Sequence, residues 1–199
     1  MTLDGSGGGV NRYYVYASGE ETGSFRTLAS AIRAASDQRG QVVDSTEQVL
    51  WECAFPTYMK VAGMENVVKV SSKKKSLAGC LSMIASVNGQ DVPPGKIDTR
   101  AGNPSSLLEK YSGHPVLNLA GCTTDQILYY VSKGCPVLAK YSGRHFVVIM
   151  SYNSTNIRYL DPVSGLSTSV DRAGLTEKLH KAGDVYYSYL EDLDSDTDK

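Results

Sequence analysis

The stretch HFVVIMSYNSTNIRYLDPVSG, residues 145–165, decides the fold, because it predicts two long strands joined by a short turn. Five apolar residues follow His145 without a break, so the first strand is expected to be buried on both faces. A hairpin centred near Asn153 or Ser154 brings His145 and Asp161 to opposite or diagonal positions on neighbouring strands. The sequence therefore predicts that these two side chains lie within several ångströms of each other.

The sequence around this hairpin predicts helices first and a mostly antiparallel sheet afterwards. SLAGCLSMIASVNG, residues 76–89, indicates a helix closed by Gly89. A short helix SSLLEKYS, a strand PVLNL, a helix TTDQILYYVSKG and a strand PVLAKY precede the hairpin. A helix around LTEKLHKAG and a strand DVYYSYL follow it. This order predicts an α+β fold for residues 56–190.

Residues 11–55 predict a small β-α-β-β module in front of that domain. RYYVYA alternates as a strand, FRTLASAIRAAS has apolar residues at helical spacing, and QVVD and QVLWE indicate two strands. Because a unit of about 45 residues buries little surface, we expect it to pack on the rest of the chain as a docking or spacer module. Residues 1–10 are typical of a linker or a remnant of cloning, and residues 191–199 form an acidic tail.

Composition gives no reason to expect a nucleic-acid, membrane or metal partner. The chain has 199 residues with 20 basic and 21 acidic side chains, and no apolar run approaches the roughly 18 residues that cross a bilayer. Three histidines and four cysteines without a CxxC pair do not form a ligand set, so we expect no cofactor, no metal and no disulfide framework. The helix between Cys122 and Cys135 also holds these two residues too far apart for a bridge.

The predicted hairpin also indicates a catalytic base. A carboxylate such as Asp161 would fix the tautomer of the His145 ring and stabilise its protonated form. The alternative is a histidine at a strand edge that is bonded to a turn aspartate and has no catalytic role. Spacing alone leaves both interpretations open.

A nucleophile for that base is expected at the N-terminus of a helix, where the helix dipole and free N–H groups stabilise negative charge. Ser76 begins the predicted helix, and Cys80 lies one turn further along its apolar stripe. We therefore expect Cys80 to be an inert core thiol. The alternative role for Ser76 is that of a helix cap whose hydroxyl accepts the Gly79 N–H.

Three motifs of this chain resemble the papain-like cysteine peptidases of family thirty-nine, which cut double-glycine leaders from bacteriocin precursors. These are SLAGCLSM at 76–83, RHFVV at 144–148 and DPVSG at 161–165, within a similarity that spans about residues 74–190. The family's nucleophilic cysteine begins a helix of the form CGPACLAM, its histidine opens an apolar strand, and an Asp-Pro follows. The resemblance implies a papain-like fold, with His145 as general base, Asp161 as its orienting acid and Ser76 at the nucleophile position.

Two of the family's four catalytic elements are absent from this sequence. Ser76 stands where the family has cysteine, and Val70 stands where it has the glutamine that donates to the oxyanion. Because serine is far less ionised than cysteine, hydrolysis is expected to be orders of magnitude slower. The resemblance therefore implies a degenerate peptidase-like domain that binds a peptide or partner segment in the ancestral cleft.

Two alternatives to a degenerate domain stay open. One is an active peptidase that uses Ser76, or Cys80 after a helix shift, together with His145 and Asp161. The other is an active cysteine peptidase in which Ser76 was introduced by engineering. A looser similarity to SLAxCL domains behind a YYVY module, in large multidomain proteins of anaerobic Gram-positive bacteria, favours natural degeneracy. We expect an extracytoplasmic domain of a larger bacterial protein, either membrane-attached or secreted.

Three consecutive lysines, Lys73, Lys74 and Lys75, precede the helix that Ser76 begins. Lysine opposes the positive end of a helix dipole, so their position is unusual. They are interpreted either as a solvated loop or as a rim that attracts a peptide carboxylate or an acidic segment.

Overall fold

The computed structural model describes residues 12–191, which contain two antiparallel sheets and five α-helices. The predicted linker at residues 1–10 lies outside the described residues, as does the predicted acidic tail beyond Glu191. Within residues 12–191, no helix is both long enough and apolar enough to cross a membrane.

The first sheet has four strands in the order β2-β1-β3-β4, with helix α1 packed against it. The expected β-α-β-β module therefore contains one strand more than predicted. That strand, EETGSF, was missed because it is largely exposed and lacks apolar alternation. It forms a hairpin through Ser18 and Gly19, which both have positive φ. The bounds are β1 Tyr13–Ala17, β2 Glu20–Phe25, α1 Leu28–Asp37, β3 Gln41–Val43 and β4 Val49–Glu52.

The small sheet packs on the rest of the chain, as its size predicted. The Trp51 ring N–H donates to the Gln126 carbonyl over 2.9 Å, and the buried Tyr130 hydroxyl donates to the Leu50 carbonyl over 2.9 Å. Buried apolar residues of both sheets form one continuous core. The two parts of the chain are therefore held together by core packing as well as by hydrogen bonds.

The second sheet confirms the α+β prediction. Its seven strands are all antiparallel, in the order β10-β9-β8-β7-β11-β6, and the short β5 pairs with β8. The strands are β5 Met59–Lys60, β6 Val116–Asn118, β7 Val137–Ser142, β8 His145–Tyr152, β9 Asn156–Asp161, β10 Leu166–Asp171 and β11 Tyr186–Tyr189. The helices are α2 Ser76–Val87, α3 Pro104–Ser112, α4 Thr124–Ser132 and α5 Arg172–Lys181.

The β8-β9 hairpin has the predicted strands, and its turn is held by Asn153. The Asn153 side-chain carbonyl accepts the N–H groups of Thr155 and Asn156 over 2.9 and 2.7 Å. Strand β10 was not predicted, because LSTSVD is rich in serine and threonine and lies half in solvent. It continues the sheet beyond β9 and forms one edge of it.

Helix α2 packs so closely on the Asp-Pro turn after β9 that a glycine is required. A Cβ atom at Gly79 would lie 2.6 Å from Cβ of Pro162 and 3.0 Å from Cγ1 of Val70. All ten residues from Ser76 to Ala85 are buried. This close contact fixes the first turn of α2 beside the start of β8 and the end of β9.

Candidate functional site

His145 and Asp161 form a hydrogen-bonded pair where β8 begins and β9 ends. Nε2 of His145 lies 2.7 Å from Oδ1 of Asp161, and the two side chains are only 6% and 14% exposed. The same carboxylate oxygen accepts the Val163 N–H over 2.9 Å, which fixes its position. The proximity predicted from the hairpin is confirmed, while the catalytic role of the pair stays a prediction.

The other ring nitrogen of His145, Nδ1, has no hydrogen-bond partner among residues 12–191. The ring packs edge-on against Tyr141, with centroids 5.0 Å apart. A ring that donates Nε2–H to a carboxylate presents a basic lone pair at Nδ1. The pair can therefore accept a proton from a group placed beside Nδ1.

Ser76 begins α2 as predicted, but its hydroxyl bonds to main-chain groups. Oγ accepts the Phe146 N–H over 2.8 Å and is 2.6 and 3.0 Å from the carbonyls of Lys73 and Arg144. The residue is fully buried. The prediction that Ser76 caps the helix is wrong, because the cap position is Lys75, which makes no side-chain cap bond. The hydroxyl instead ties the start of α2 to the start of β8.

Cys80 is a core thiol, as its place on the apolar stripe predicted. It has no exposed surface, and burial raises the pKa of its thiol well above the ordinary value, with a smaller effect from the charge of Asp161. The Cys80 thiol therefore stays protonated at neutral pH. Its burial also keeps it out of reach of a substrate. Cys53 and Cys122 are free thiols. The disulfide between Cys122 and Cys135, which helix length argued against, is therefore not formed.

Val70 occupies a packed position and offers no side-chain donor. It is 8% exposed, and its N–H donates to the Pro162 carbonyl over 2.8 Å. Its side chain lies against Gly79 at the foot of α2. The position that the resemblance assigns to an oxyanion donor is thus part of the contact between α2 and the Asp-Pro turn.

Lys73, Lys74 and Lys75 form a single exposed 3₁₀ turn that leads into α2. None of the three takes part in an ion pair within the part of the chain that the structure describes. The main chain of Lys73 lies next to that of Arg144, because Ser76 Oγ bonds to the carbonyls of both. Whether they bind a peptide stays a prediction.

Sequence reasoning missed several side chains around the pair. Tyr141 packs on His145, Nζ of Lys178 lies 4.8 Å above the Tyr141 ring, and Lys69 lies against Gly165. Only Arg144, next to His145 in the chain, carried a signal in the sequence. His114 and His180 have other partners, Tyr189 and Asp184.

No group of three or more histidine, cysteine, aspartate or glutamate side chains is placed to hold a metal ion among residues 12–191. Burial raises the pKa of several tyrosines outside the site as well as that of Tyr159, whose ring packs against that of Tyr141.

Comparison with known proteins shows the fold alone. No family model matches the sequence, and no curated protein matches it. A solved structure described as a C39-like peptidase from Bacillus anthracis superposes with a TM-score of 0.58 at 14% sequence identity. The match covers 70% of this chain and 100% of that one. The chain therefore contains a C39-like, broadly papain-like fold.

Proposed function

We propose that this C39-like domain is catalytically inactive and binds an extended segment of a polypeptide at the end of the sheet where His145 lies. One observation carries the proposal. The hydroxyl at the nucleophile position, on Ser76, is buried and bonded to three main-chain groups. A nucleophile must instead reach both the base and the substrate.

The chemistry at this position also argues against hydrolysis. The lone pair of Ser76 Oγ accepts the Phe146 N–H, and its single proton is shared between two carbonyls. No hydrogen bond joins it to the His145 ring within residues 12–191. Without a base on its proton a serine hydroxyl is a weak nucleophile, and Val70 provides no donor for an oxyanion.

Binding of a polypeptide is supported by the fold and by the polar groups that the site leaves available to a ligand. The solved structure with the same fold is described as a peptidase, a class of protein that acts on polypeptides. The His145–Asp161 pair leaves Nδ1 open, and Lys73, Lys74 and Lys75 are exposed on a turn that contacts β8, the strand that His145 begins. These groups can hold the main chain or the carboxylates of a bound segment without cutting it.

The proposal is tested by assaying the full chain against a fluorogenic peptide library in parallel with Ser76→Cys, Ser76→Cys/Val70→Gln and His145→Ala. We expect no turnover by the natural chain. Turnover by the natural chain that is lost in His145→Ala would refute inactivity. Turnover by Ser76→Cys alone would show a scaffold that lacks only its nucleophile, which is the result expected if Ser76 stands in for an original cysteine.

A further inference from the structure

Six exposed cationic side chains surround the His145–Asp161 pair. The turn of Lys73, Lys74 and Lys75 lies against the start of β8, where Ser76 Oγ bonds to the main-chain carbonyls of Lys73 and Arg144. A Cβ built at Gly165, in the turn after Asp161, would lie 3.1 Å from Cδ of Lys69. Lys178 reaches over the Tyr141 ring that packs on His145. We call these six the basic rim: Lys69, Lys73, Lys74, Lys75, Arg144 and Lys178.

The basic rim has no acidic partner among the described residues. Ion pairs in residues 12–191 involve other cations, namely Lys60, Arg100, Arg172, Lys181 and the histidines of two His–Asp pairs. Of the 20 basic and 21 acidic side chains, 19 and 16 belong to residues 12–191, so with the six set aside 13 basic ones remain there against 16 acidic ones. The other described residues thus carry no excess of positive charge, and a cluster of six cations without acidic partners attracts an anionic partner to this part of the surface.

The free edge of the main sheet starts beside the basic rim. Strand β10 begins at Leu166, one residue after the Gly165 that Lys69 covers, and no strand of residues 12–191 pairs with its outer edge. Arg172 directly follows β10, and its N–H donates to the Thr155 carbonyl, which continues the β9-β10 ladder by one residue pair. Arg172 is therefore a position that bonds to the β9 side. In an antiparallel ladder, residues that bond to the neighbouring strand alternate with residues that do not. The N–H and carbonyl groups of Ser167 and Ser169 therefore point away from β9, toward the free edge.

This edge has few of the features that usually protect one, since its one charged residue, Asp171, is the last residue of the strand. The six residues of β10 include no lysine and no proline, and Leu166 is 61% exposed. A cavity of about 410 Å³ beside the strand is lined by Ser167, Ser169 and Arg158, among other residues. Arg158 donates to the Ser167 hydroxyl over 3.2 Å and forms no ion pair with any described residue. Alternate side chains of an added strand would thus meet a cation and hydroxyl groups.

We propose that the bound segment is acidic and extended, that it adds a strand to the outer edge of β10, and that its carboxylates face the basic rim and Arg158. This rests on the function proposed above and names the class of its ligand. A polypeptide fits better than a nucleic acid or a lipid surface, because only a polypeptide can pair its main chain with Ser167 and Ser169. The exposed Leu166 adds an apolar contact that a phosphate backbone does not use.

The experiment selects ligands for the full chain from a phage library of random dodecapeptides. We expect the enriched sequences to be rich in aspartate and glutamate with interspersed apolar residues. The affinity of the most enriched peptide is then measured by fluorescence anisotropy. We expect Lys73→Glu/Lys74→Glu/Lys75→Glu to weaken binding roughly 30-fold at low salt, because each reversal replaces an attraction by a repulsion.

Two matched controls separate the effect of the mutated site from that of net charge or of losing a side chain. Lys96→Glu/Lys110→Glu/Lys133→Glu makes the same change in net charge at exposed lysines outside the basic rim, and we expect it to alter affinity by less than about threefold. Ser169→Pro removes both an outward N–H and the hydroxyl, whereas Ser169→Ala removes the hydroxyl alone, so we expect Ser169→Pro to bind roughly tenfold more weakly than Ser169→Ala.

Each other outcome overturns a defined part of the account. Enrichment of peptides without acidic residues, or equal effects of the two triple reversals, would overturn the acidic ligand and leave polypeptide binding intact. Equal affinities for Ser169→Pro and Ser169→Ala would overturn strand addition. Tighter binding of an oligothymidylate dodecamer or of phosphatidylserine vesicles would assign the basic rim to another class of partner. No enrichment at all would refute the proposed function itself.

Discussion

On the strand side of the candidate site, His145 and Asp161 bond to each other through their side chains, whereas on the helix side Ser76 bonds only to main-chain atoms. The strand side keeps a ring nitrogen open to a reacting group or ligand. The helix side uses its hydroxyl for a contact between α2 and β8. The difference shows that a histidine ring can stay open to a ligand while a neighbouring hydroxyl is held entirely by main-chain contacts.

The largest effect is expected where the two sides touch. Gly79→Ala places a methyl group 2.6 Å from Cβ of Pro162, so the helix or the Asp-Pro turn must move. We expect the free energy of unfolding to fall by about 3 kcal/mol, measured by urea denaturation.

Gly95→Ala is the matched control, because a Cβ there meets no atom within 4 Å. Its free energy of unfolding should change by less than about 0.5 kcal/mol. Equal stability of the two variants would mean that α2 does not pack on the turn as described.

A smaller loss is expected for Ser76→Ala, which leaves the N–H of the partly buried Phe146 without its acceptor. The cost of such a group predicts a loss of about 2 kcal/mol in the free energy of unfolding. Ser86→Ala, at an exposed position of the same helix, should change stability by less than about 0.5 kcal/mol. A stable Ser76→Ala would remove the structural role of that hydroxyl.

These contacts explain how far the sequence could predict the site. The pairing of His145 and Asp161 was predictable because both lie on one hairpin whose strands and turn are evident from local pattern. The Ser76 contacts to Arg144 and Phe146 were not, since 68 and 70 residues separate the partners and only tertiary packing joins them. Strands β2 and β10 were missed for another reason: their exposed polar residues carry no hydrophobic alternation.

The smallest effect is expected in the pH dependence of the free energy of unfolding, through the buried thiol of Cys80 in α2. Burial raises the pKa of Cys80 well above its ordinary value of 9.0, so the folded thiol stays protonated where the unfolded one ionises. The contribution of this thiol to the free energy of unfolding is therefore fully present below pH 9. It is lost as the pH rises further, by at most about 1.4 kcal/mol per pH unit.

Cys80→Ala should show a shallower fall in the free energy of unfolding between pH 9 and 10 than the natural chain, whatever its stability at pH 7. The buried tyrosines ionise alike in both proteins, so the difference in slope isolates the thiol. Identical slopes would mean that Cys80 is not desolvated by the packing of α2 on the sheet.

The central claim is that Ser76 is a structural residue and not a nucleophile. Intact-mass analysis of the full chain after incubation with a fluorophosphonate, which forms an adduct only with an activated serine, tests it most directly. The account predicts an unmodified mass for the natural chain and for His145→Ala alike. An adduct that maps to Ser76 and disappears in His145→Ala would contradict it.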